Sequence, residues 1–142
     1  MRQKSMSDLV KQVQIAINGE YSAIKCYEKL AKLASTEEER KRILEIRQDE
    51  INHFKQFVHL YTGLTGVDPK PKQTDTCEDS YVRGLEAALK DEQQTVDLYL
   101  RVADETINPA ARELFNRAAK DEQQHAVWFL YYYVKNKKTE MT

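Results

Sequence analysis

The chain has 142 residues, 41% of them hydrophobic and 32% charged, which suits one ordinary domain with a core of its own. Lys plus Arg number 22 against 23 Asp plus Glu, so no overall field draws the chain to nucleic acid or to an anionic membrane. No segment approaches the ~20 apolar residues of a membrane span, and the start, Met1-Arg2-Gln3-Lys4-Ser5, lacks the apolar run of a signal peptide.

Apolar residues recur at helical spacing in four blocks, and none shows the period-two alternation of a strand. The first predicted helix covers about 7–34 and carries Leu9, Val13, Ala16, Ile17, Ile24, Leu30 and Ala31, with Ser5 or Ser7 as candidate caps. The second, about 36–61, carries Ile43, Ile46, Phe54, Phe57 and Leu60. It opens at Ser35-Thr36-Glu37-Glu38-Glu39, which offers capping boxes and places acid at the positive end of the helix dipole. Residues 62–78 contain glycine and proline and are helix-poor. The third helix, about 79–106, carries Leu85, Ala88, Leu89, Val96, Val102 and Ala103. The fourth, about 109–135, follows Asn108-Pro109, an N-cap with proline at the first helical position, and carries Leu114, Phe115, Ala118, Ala126 and Phe129.

The turns within each pair of helices are very short, so the members of a pair run antiparallel. A helix of ~25 residues is about 37 Å long, and an extended linker of ~17 residues reaches about 55 Å. The 62–78 segment can therefore cross the whole length of the molecule and start the third helix parallel to the second. The expected fold is all-α, a four-helix bundle of two antiparallel pairs joined by one long crossover, forming a single domain over residues 1–142.

Only Cys26 and Cys77 are present, and neither lies in a Cys-x-x-Cys pair. This argues against a disulfide framework, a zinc ribbon or a rubredoxin-type iron site within these residues. Cys26 is expected to pack as a small buried group and Cys77 to be a loop thiol without a partner. A reducing cytoplasm is the matching compartment.

Glu50-Ile51-Asn52-His53 returns as Glu122-Gln123-Gln124-His125, and a lone Glu, Glu20 or Glu92, stands 30 residues before each. One offset of 72 residues relates all of these pairs without a gap. Glu20 is in register with Val13, Ile17 and Ile24, and Glu92 with Leu85 and Ala88. Glu50 and His53 sit between Ile46 and Phe57, Glu122 and His125 between Ala118 and Phe129. All six groups therefore occupy core-facing positions near the middle of their helices. One Glu-x-x-His in a chain rich in Glu reads as a solvated helix face. Four carboxylates in an apolar interior do not, because each costs several kcal/mol to desolvate and they repel one another. Two divalent cations would cancel the four charges, with two neutral imidazoles completing the coordination. A carboxylate and imidazole set without thiolate suits iron or manganese rather than a closed structural zinc site.

Two further pairs keep the same offset. Tyr27 and Tyr99 follow their Glu by two helical turns and are candidates to hydrogen-bond a ligand carboxylate; filling the core is their bland alternative. Asp49 and Asp121 stand four residues before each His and could hold its second nitrogen, or could be solvated acids. His59 is off the ligand face and expected to be exposed. Trp128 and Tyr131-Tyr132-Tyr133 are more aromatic surface than one core can take, which suggests a subunit contact.

On Glu20 with Tyr27, Asp49-Glu50-x-x-His53, Glu92 with Tyr99, and Asp121-Glu122-x-x-His125, the chain resembles the ferritin-like diiron-carboxylate family, nearest to bacterioferritins and rubrerythrin-type domains. The resemblance covers about residues 7–135 and implies a ferritin-like bundle. It further implies Glu50 and Glu122 as bridging ligands, Glu20 with His53 on one iron, and Glu92 with His125 on the other. These six are also the candidate catalytic residues, with Tyr27, Tyr99, Asp49 and Asp121 behind them. Two Fe ions are the implied cofactor, with Mn possible. The position where bacterioferritins carry a haem-binding Met is Ile51, so no haem is expected. Thr95 stands where rubrerythrins characteristically add a carboxylate, and neither a rubredoxin domain nor the fifth helix of a storage cage is expected.

The implied function is oxidation of Fe(II) and/or reduction of H2O2 or O2 at a carboxylate-bridged dimetal site, in iron and oxidative-stress handling. An iron-storage shell subunit and a diiron or dimanganese oxygenase stay open as alternatives. A homo-oligomer, first of all a dimer, is expected, with O2 or H2O2 as oxidant and an unidentified electron donor; neither nucleic acid nor membrane is an expected partner.

Overall fold

The computed structural model describes residues 5–140. Met1 to Lys4, on which most of the signal-peptide reading rests, lie outside the described residues. The chain forms four helices, α1 (Met6–Leu33), α2 (Glu37–Thr65), α3 (Tyr81–Glu105) and α4 (Pro109–Glu140), with no strand among the described residues. No helix there is long and apolar enough to cross a membrane.

Local chemistry sets the ends. Ser5 and Asp8 form a capping box at α1, and the Thr36 hydroxyl accepts from the Glu39 amide at α2. Ser80 caps α3, and Asn108 Oδ1 accepts from the Ala111 amide at the start of α4. α2 runs to Thr65, four residues past its expected end, and stops at Gly66. The left-handed φ of 79° there suits a residue without Cβ, and its amide still reaches the Thr62 carbonyl. The crossover is correspondingly shorter, 66–80. α4 also outruns expectation. The added residues bring Asn136, next to Lys135, onto Glu39, a buried carboxylate that also accepts from the Tyr81 hydroxyl at 2.8 Å and the Thr36 hydroxyl at 2.9 Å. Glu39 therefore does more than flank a cap: its neutralised, fully bonded carboxylate closes one end of the bundle.

The main packing is α1 on α2 and α3 on α4, and the pairs meet along α1–α3 and α2–α4. On one side of the bundle's middle, Phe57, Tyr99 and Phe115 fill the interior with Val13, Ile17 and Ala118. On the other, Phe129, Tyr27 and Tyr132 do so with Ile43, Ile46 and Leu85. Phe57 and Phe129 obey the 72-residue offset, and so do the tyrosines they pack against, Tyr99 and Tyr27.

The crossover is strapped along α1 in the same direction. Gln14 Nε2 donates to the Lys70 carbonyl, Asn18 Oδ1 accepts from the Lys72 amide and Ser22 Oγ accepts from the Thr74 amide; farther on, Lys29 pairs with Asp79. Between the last two, Cys26 and Cys77 are joined by a disulfide, their Cα atoms 5.0 Å apart. This corrects the expectation of a small buried Cys26 and a partnerless Cys77. The spacing along the sequence hid the pair because one cysteine lies on a helix and the other on an irregular strap. With a bridge present, the cysteines no longer speak for a reducing compartment.

Candidate metal centre

The four helices converge their polar residues at mid-height. Glu20, Glu50, Glu92 and Glu122 are each no more than 2% exposed, and His53 and His125 no more than 3%. The structure gathers them into two groups that share Glu50 and Glu122. One adds Glu20 and His53, the other Glu92 and His125, and within each group the donor atoms lie within 4.8 Å of one another. The imidazole centroids are 6.5 Å apart across the centre.

Four atoms of these side chains are held by groups from the opposite half of the chain. Tyr27 Oη donates to Glu92 Oε1 at 2.5 Å, and Tyr99 Oη donates to Glu20 Oε2 at 2.7 Å. His53 Nε2 donates to Asp121 Oδ2 and His125 Nε2 to Asp49 Oδ2, both at 2.8 Å. The second of these arrangements differs from the expectation that each Asp serves the His four residues on. Their shared helix face is real, but α2 and α4 lie side by side, so each Asp reaches the His of its neighbour. The tyrosines take the hydrogen-bonding role rather than the merely space-filling one. His59 is exposed, as expected.

What is left over points inward. Glu20 Oε1, Glu50 Oε1, Glu92 Oε2, Glu122 Oε1, His53 Nδ1 and His125 Nδ1 are buried without a hydrogen-bond partner. Unsatisfied buried oxygen and nitrogen are costly, and six facing one another are what a pair of divalent cations would satisfy. The donor set therefore fits a dimetal centre. With Nε2–H given to an aspartate, each imidazole would, on losing its Nδ1 proton, become the tautomer that turns the Nδ1 lone pair toward the centre.

Electrostatics of the metal-free site tell the same story. Burial, then repulsion from Glu122, raises Glu50 and Glu92 well above the usual carboxylate range, and the same two causes push Glu20 up to about 7. Burial alone would lower the histidines, but Glu122 with Glu20 or Glu92 outweighs it and pushes both His53 and His125 up to about 11. Burial works against ionised Glu122 too, yet protons on Glu50, His125 and His53 hold it low. Burial and the adjoining carboxylates keep Tyr27 and Tyr99 protonated donors. Asp91, beside Glu92, drew no notice in the sequence; burial, then Asp75 and Glu122, pushes it up to about 6.

At pH 7 the metal-free centre holds an extra proton on each of His53 and His125, and Glu50 and Glu92 are shifted toward their protonated forms, so ligation must displace protons. Titration calorimetry with Mn(II) in buffers of different ionisation enthalpy should show release on the order of two or more protons per chain, with apparent affinity falling as pH falls. Heats independent of the buffer would contradict the site.

The comparisons agree with this geometry. The rubrerythrin family model matches residues 11–133. A protein of Bacillus subtilis (strain 168), YhjR, is 60% identical over 124 residues, 87% of this chain and 86% of its own length. Among solved structures, a hypothetical protein from Pyrococcus furiosus superposes with a TM-score of 0.75 at 20% identity, covering 88% of this chain and 87% of that one. A two-domain protein from Anabaena variabilis, with DJ-1/ThiJ/PfpI-like and ferritin-like domains, matches with a TM-score of 0.75 at 17% identity. That match covers 96% of this chain and 39% of the other. At these identities the two structures speak for the fold alone, which is ferritin-like. With the family model spanning nearly all of the bundle, the chain belongs to the rubrerythrin family.

Proposed function

We propose that this chain is an oxidoreductase that uses a carboxylate-bridged pair of iron ions to reduce H2O2 or O2, oxidising Fe(II) in the course of iron and oxidant handling. The observation that carries the proposal is the pair of overlapping buried ligand groups with shared Glu50 and Glu122. Bound iron would supply the electrons and the Lewis acidity. Glu50 and Glu122 would bridge, Glu20 with His53 would complete one position, and Glu92 with His125 the other; manganese fits the same donors.

The residues of the chain do the rest. Tyr27 and Tyr99 pin one oxygen each of Glu92 and Glu20, leaving the other oxygen free to face inward. Asp49 and Asp121 reach from the buried histidines toward solvent, with side chains 49% and 37% exposed, so they can orient the imidazoles and hold charge at the rim. Phe57 and Phe129, both fully buried, pack on Tyr99 and Tyr27 and so wall the centre with apolar surface on either side. Self-association as a dimer in the cytoplasm belongs to the same proposal. It is supported by the apolar stripe Val127, Leu130, Tyr131 and Val134, exposed along α4.

Metal analysis of protein purified without chelators, followed by stopped-flow mixing of the Fe(II)-loaded protein with H2O2 and with O2, tests the reading. Two metals per chain and rapid optical change with one oxidant are expected. Equal indifference to both oxidants would discard the redox function. A large assembly by light scattering that retains far more iron than its ligands account for would move the reading to storage.

A further inference from the structure

The disulfide lies where small molecules can reach it. Cys26 and Cys77 both line a cavity of about 280 Å³ on the α1–α3 seam, walled by Asp75 to Glu78 of the crossover. Tyr27 lines the same cavity, and its hydroxyl is the donor to Glu92. A second cavity of about 250 Å³ continues along the seam on the other side of Asp75 and ends on Tyr99, the donor to Glu20. The crossover is thus the outer wall of a seam at whose floor stand both tyrosines of the centre.

Non-covalent contacts flank the bridge on both sides. Ser22 holds the Thr74 amide on one side and Lys29 holds Asp79 on the other. Opening the bond would leave two thiols still facing each other, an arrangement from which the bond re-forms readily. We propose that Cys26 and Cys77 are a reversible dithiol–disulfide couple, addressed by small thiols and by peroxide through this cavity, whose oxidised form latches the crossover over the seam leading to Tyr27 and Tyr99.

A thiolate RS⁻ attacks one sulfur of the bridge and releases the other as thiolate. A second RS⁻ attacks the external sulfur of the mixed disulfide, freeing the remaining cysteine, and the two cysteine thiolates take up two protons. In the return direction one cysteine thiolate attacks H2O2, forming a sulfenic acid and expelling hydroxide, which is protonated to water. The second cysteine then displaces water from the sulfenic sulfur and closes the bond. Per cycle, two RSH and one H2O2 become RSSR and two H2O.

The test uses metal-free protein, so it does not depend on the dimetal reading. The native protein is equilibrated with millimolar dithiothreitol, alkylated and weighed, then reoxidised with H2O2, and amide hydrogen exchange is followed in both states. Reduction without unfolding is expected, then restoration of the bridge by peroxide. Exchange at the Lys72 and Thr74 amides should be faster by about tenfold or more in the reduced form, while mid-helix amides stay protected. The Cys26→Ser, Cys77→Ser double variant should match the reduced form. A bond that yields only when the helices melt, or one that fails to return with peroxide, would overturn the couple. Equal exchange at Lys72 and Thr74 in the oxidised, reduced and doubly substituted proteins would overturn the latch.

Discussion

Glu50→Gln is expected to abolish binding of the metal pair while leaving the metal-free bundle about as stable as the parent. Burial, then the charge of Glu122, raises Glu50 well above the usual carboxylate range in the absence of metal, so an uncharged amide of the same shape replaces a carboxyl already driven toward its uncharged form. The change in metal-free stability should stay within about 1 kcal/mol. Metal binding is a different matter, because both ligand groups include Glu50 and a neutral amide cannot supply the anionic oxygen they share. Thermal unfolding with and without Mn(II) or Fe(II) makes the comparison. At a metal concentration near a thousand times Kd the parent should gain about 4 kcal/mol, and the variant should gain almost none. His59→Ala, on the exposed face of α2, is the control and should retain the full metal-dependent shift. A metal response in Glu50→Gln equal to that of the parent would remove the residue from the centre.

Phe57→Ala should carry the largest penalty on the fold itself. Its ring is fully buried, 5.4 Å from the Tyr99 ring in edge-on contact and 4.8 Å from Phe115. Truncating a buried phenylalanine costs about 3–5 kcal/mol through lost transfer energy and an unfilled cavity. In a chain this size that corresponds to a fall in Tm of roughly 10–20 °C. The loss should be felt at the centre too, since Tyr99 has Phe57 and Phe115 as its walls and holds Glu20 at 2.7 Å. Metal titration of the variant should weaken first at the Glu20–His53 position and leave the Glu92–His125 position nearer to the parent. A variant that melts within a degree or two of the parent would mean this aromatic cluster is not the core it is taken to be.

The 72-residue repeat made the helices and the meeting of Glu20, Glu50, His53, Glu92, Glu122 and His125 legible, because helical periodicity and burial of charge are local arguments. What it could not reveal was which half each supporting group serves. Asp49 is on the same face as His53 in its own helix, and only the side-by-side placement of α2 and α4 sends it to His125. The cysteines escaped for a related reason, since an extended strap has no periodicity from which to read its register against α1. Glu39 was hidden by its neighbours: in a run of three acids at a helix start, nothing local marks one of them as buried and bonded to Tyr81 and Asn136.

Every orienting bond at the centre, tyrosine to glutamate or histidine to aspartate, passes from one helical hairpin to the other. Neither hairpin can therefore arrange its own donors, and assembly of the site amounts to recognition between two near-equivalent modules that happen to share a backbone. A two-helix peptide with only the first module's acids, imidazole and phenol would find in a twin of itself the counterparts that this chain supplies from its second half.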